Sequence, residues 1–91
     1  MLRISVRHHA DRVTLKVEGR LVDEWARELR NAVLGTTLDR WPIEIDLRDV
    51  TFADEAGEEV LCWLHRLGAH FQGCGSFSSG LCRRLGIPLR R

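Results

Sequence analysis

The sequence predicts an α/β domain, a two-layer mixed β-sheet with amphipathic helices packed mainly on one face, in the order β-β-α-β-α-β-α. Three observations predict it. Apolar and polar residues alternate strictly through Leu2-Arg7, Val13-Glu18 and Ile43-Leu47, the period of strands with one dry and one wet face. From Val22 to Leu34 and again from Asp54 to Leu67, apolar residues return at helical spacing instead. Helices placed between strands require crossover connections, so the sheet cannot be purely antiparallel.

Each element follows from its own pattern. The two leading strands flank His9-Ala10-Asp11-Arg12 and read as a hairpin. Their wet face would carry Arg3, Arg7 and Lys16 against Glu18, Glu44 and Asp46, so complementary cross-strand pairs are available. In the first helix Val22, Trp25, Ala26, Leu29 and Val33 share an arc, and Gly35 marks a stop. Trp41-Pro42 precedes the third strand, where the fixed φ of proline suits an entry. Asp54 is placed to cap the second helix, with Glu55 and Glu58 at the positive end of its dipole and Ala56, Val60, Trp63, Leu64 and Leu67 on its buried arc. Gly68 ends it. A short strand around Phe71, within Ala69-Cys74, leads through Gly73 and Gly75 to a last helix from about Ser78 to Leu85, stopped by Gly86 and Pro88.

At 91 residues, 44% apolar and 30% charged, the chain has the size and composition of a single domain spanning 1–91. Fourteen basic against thirteen acidic residues leave a net charge of +1, too little for backbone-driven nucleic-acid binding. No apolar run approaches the ~20 residues of a membrane span. Three cysteines without a disulfide framework, and no secretory leader, fit a cytoplasmic protein. A chain this short buries roughly 60% of its unfolded surface, so an enclosed substrate cavity would consume core it needs. A binding module is therefore expected rather than an enzyme, and no cofactor is called for.

The element order, together with the segment Ile45-Asp46-Leu47-Arg48-Asp49-Val50-Thr51-Phe52-Ala53-Asp54-Glu55-Ala56-Gly57, resembles the STAS family, the domain of sulphate transporters and anti-sigma factor antagonists. Val17-Glu18-Gly19-Arg20-Leu21 looks like the family's exit from strand to first helix, and Arg83-Arg84-Leu85-Gly86-Ile87 its third-helix ending. The resemblance implies a bacterial single-domain module that docks another protein through the start of the second helix. The partner-binding residues would be Thr51, Asp54, Glu55, Ala56, Gly57, Glu58 and Glu59, with Cys62 and His65 beside them. Two partners follow from the likeness: an anti-sigma kinase-like ATPase in the control of transcription by partner switching, or the ATPase of an ABC-type lipid transporter.

The sequence departs from the family in two ways. Its single-domain bacterial members carry a phosphorylated hydroxyl directly after the helix-opening Asp, and here that residue is Glu55, a degenerate phosphosite. Glutamate offers one negative charge where phosphate offers roughly −1.5 to −2. It either mimics the phosphorylated state, removes the regulation, or serves only as a helix-start residue. Many relatives also continue after the third helix with another strand and helix, whereas this chain closes Ile87-Pro88-Leu89-Arg90-Arg91. An edge or apolar patch left bare by that shortness would be covered by a partner or by a homodimer.

Other patterns carry weaker chemistry. Cys62, His65, His70 and Cys74 have a spacing that invites zinc, and a metal or thiol site on Cys62 and His65 is a third reading of function, but Gly68 separates the two pairs. The glycines of Gly73-Cys74-Gly75-Ser76 resemble a phosphate-cradling turn without its Lys-Ser/Thr ending; a tight turn with positive φ explains them better. Trp25 and Trp63 read as core and Trp41 as an exposed anchor. The basic end, Arg83, Arg84, Arg90 and Arg91, complements the dipole of the last helix.

Overall fold

The computed structural model describes residues 2–35, 42–73 and 75–90. The order is β1 (Leu2–His8), β2 (Val13–Leu21), α1 (Asp23–Gly35), β3 (Ile43–Ala53), α2 (Glu55–Arg66), β4 (His70–Gln72), α3 (Ser76–Leu85) and β5 (Leu89–Arg90). The strands lie in chain order across one sheet, β1-β2-β3-β4-β5. β1 is antiparallel to β2, and every later neighbour is parallel. Parallel connections are right-handed almost without exception. Because each one steps in the same direction along the sheet, α1, α2 and α3 all fall on one face, and the other face stays wet.

The alternation in the sequence reports this one-sidedness. Val13, Leu15 and Val17 on β2, Ile43, Ile45 and Leu47 on β3, and Phe71 on β4 are buried beneath the helices. The helices supply Ala26, Leu29 and Val33 from α1, Val60, Leu61 and Leu64 from α2, and Leu81 and Cys82 from α3. At about 25 cal/mol per Å² of apolar surface removed from water, this layer is the main source of stability. On the wet face Arg12 pairs with Glu44 at 3.2 Å, and Lys16 lies 3.5 Å from Asp49 and 3.9 Å from Glu18.

Several expected details differ. β5 is an additional strand after α3, formed by residues whose polar, proline-interrupted sequence gives no strand signal. β3 runs to Ala53, so Val50-Thr51-Phe52 is strand rather than link. α3 starts at Ser76, two residues early. On α2 the buried arc is rotated: Leu61 and Gly57 are buried, Ala56 and Trp63 are half-buried, and Leu67, past the last turn, is exposed. Val22 and Trp25 are likewise only half-buried. Trp63 lies beneath the Arg30 guanidinium, 4.8 Å from the ring centre, joining α1 to α2. Gly35 closes α1 without a positive φ, whereas Gly68 (φ 93°) and Gly86 (φ 74°) adopt the left-handed conformation expected of a stop. Gly73 (φ 120°) forms the expected turn. Trp41, Cys74 and Arg91 lie outside the described residues.

Candidate functional site at the start of the second helix

The site is built where the parallel strands end and the helices begin, the edge at which α/β sheets usually bind. Asp54 organises it. One carboxylate oxygen accepts a hydrogen bond from the backbone N–H of Gly57 (2.9 Å), capping α2; the other accepts from the N–H of Asp23 at the start of α1 (3.0 Å). Its own N–H donates to the carbonyl of Leu21 at the end of β2 (3.2 Å). Two positive helix ends thus meet on one carboxylate, the favourable sign for both dipoles. Asp23 sits at φ 39°, a conformation Asp tolerates better than most residues and which its bond to Asp54 holds.

Gly57 explains the fourth position of the Asp-x-x-Gly run. A Cβ there would land on the carbonyl oxygen of Leu21, so only glycine lets the first turn of α2 rest on the end of β2. Held in this way, Glu55 and Glu59 are exposed, and with Glu58, Cys62, Arg66 and Arg30 they line one shallow groove on the outer surface. Glu58 is pinned by Arg84 of α3 through two parallel bonds of 3.2 and 2.6 Å. That bidentate bond holds the Glu58 carboxyl below the ordinary glutamate range and raises Arg84.

The residues singled out from sequence do not all converge. Glu55, Glu58, Glu59 and Cys62 share the outward stripe at the helix start, with Asp54 capping it, whereas Gly57 is buried against the end of β2 and presents nothing to a partner. Ala56 is half-buried and turns toward α1, beside Asp23 and Arg27. His65 points elsewhere, its ring 6.4 Å from that of Phe71 in a hollow shared with His70 and Pro88, so it does not join Cys62. Among the described residues no group of three or more His, Cys, Asp or Glu is placed to hold a metal ion.

Thr51 belongs to the strand end. β3 shifts register against β2 between Asp46 and Asp49 and again between Val50 and Phe52, two bulges that leave Arg48-Asp49 and Thr51-Phe52 as consecutive non-buried pairs. The Thr51 hydroxyl donates to the Gly19 carbonyl at 3.2 Å. The second bulge also presents Phe52, 42% exposed, with the Arg20 guanidinium 5.2 Å from its ring centre and Phe77 of α3 at 6.3 Å. Asp23 and Arg84 stand outside the surface expected from the sequence, and Phe52, inside the stretch 51–59 expected to dock a partner, was not singled out. The broken alternation at Arg48-Asp49 was the available signal for the bulges; the contacts of Asp23 and Arg84 come from elements more than twenty residues away and had none.

The architecture matches solved structures. An anti-sigma factor antagonist from Mycobacterium paratuberculosis superposes with a TM-score of 0.75 at 22% sequence identity, over 98% of this chain and 85% of that one. The chain has the fold of an anti-sigma factor antagonist. A DUF3478-family protein with a SpoIIAA-like fold from Shewanella loihica PV-4 aligns with a TM-score of 0.56 and 14% identity, covering 98% of this chain and 83% of the other. At these identities the likeness is one of fold, and the fold is STAS-like. No family model and no curated protein matches the sequence. No helix among the described residues is long and apolar enough to cross a membrane.

Proposed function

We propose that this protein is a non-enzymatic, cytoplasmic protein-protein interaction module of the anti-sigma factor antagonist kind, docking an anti-sigma kinase-like ATPase through the start of α2. The observation that carries the reading is the Asp54 clamp: one carboxylate and one glycine fix two helix ends and the end of β2, and on that rigid base Glu55 stands exposed. A preorganised, charged surface favours specific docking because little order is lost on binding. Having no hydroxyl, Glu55 takes no phosphate, so the module is not switched at this position. Phe52, Arg20 and Phe77 add an aromatic and cationic anchor of the type that dominates interface energies.

Affinity capture of the tagged protein from lysate of its source, followed by mass spectrometry, tests the reading. A retained histidine-kinase-like ATPase supports it. Retention of an ABC-type ATPase instead would move the same surface to the accessory-subunit role in lipid transport, and retention of neither would remove the partner assignment.

A further inference from the structure

We draw no further inference here: the strongest candidate, the apolar hollow between the ends of α1 and α2 and the start of β3, lined by Val33, Ile43, Leu64, Leu67 and Ala69, carries nothing because no feature of the structure shows what covers it.

Discussion

Asp54 holds two helix starts with one carboxylate, and its two oxygens have separable consequences. Asp54→Ala removes the cap of α2 and the tie to Asp23 together, and is expected to lower stability by about 1–2 kcal/mol, read as a lower urea midpoint at unchanged slope. Gly57→Ala drives a methyl into the Leu21 carbonyl and is expected to cost about 1–3 kcal/mol by the same measurement, with the sign opposite to the usual gain from Gly→Ala in a helix. Cys82 is fully buried, and desolvation pushes its thiol up to about 11, so it should resist alkylation at pH 8 in the native protein. Half-buried Cys62 is expected to label before Cys82, as peptide mapping of a brief iodoacetamide reaction would read. Equal labelling of the two would contradict the packing of α3.

At the scale of elements, α2 and α3 are joined outside the core by Glu58 and Arg84. Because the bond holds the folded Glu58 carboxyl below its ordinary value of 4.5, the linkage contributes stability above that value and loses it as pH falls through the lowered folded-state value. The difference in urea midpoint between wild type and Arg84→Ala is therefore expected to be constant from neutral pH to about 5 and to close on further acidification. A gap independent of pH would assign the effect of Arg84 to packing of its stem. The pattern of strands and helices was legible because each buries a single face, and period two and period 3.6 then write that face into the chain. Where packing rather than period decides, legibility fails. Leu89–Arg90 becomes β5 only because β4 offers it an edge, and Leu67 is exposed because α2 ends before its arc closes. The bulges of β3 extend the strand to Ala53 and carry Thr51 and Phe52 to the surface, a consequence of pairing with β2 that the isolated segment does not display.

For the whole molecule, the sheet divides the surface in two. The helix side ends in the clamped start of α2, where the cap formed by Asp54 was legible because its bond to Gly57 spans three residues, while the need for glycine at 57 comes from Leu21 on another element. The contributions of Asp23, Arg84 and Phe52 to the same region depend on the tertiary arrangement. Our proposal that this region docks a partner makes Glu55 its most informative residue. If Glu55 only charges the helix start, Glu55→Ser should alter stability by about 0.3–1 kcal/mol and leave binding untouched. If it contacts the partner, affinity should change ten-fold or more, about 1.4 kcal/mol. The decisive measurement is a binding isotherm of the captured ATPase against wild type and Glu55→Lys, with the folding of both verified by their urea midpoints. Charge reversal is expected to abolish binding while the midpoint shifts only slightly. Equal affinity for both proteins would contradict that expectation and place the partner surface elsewhere on the fold.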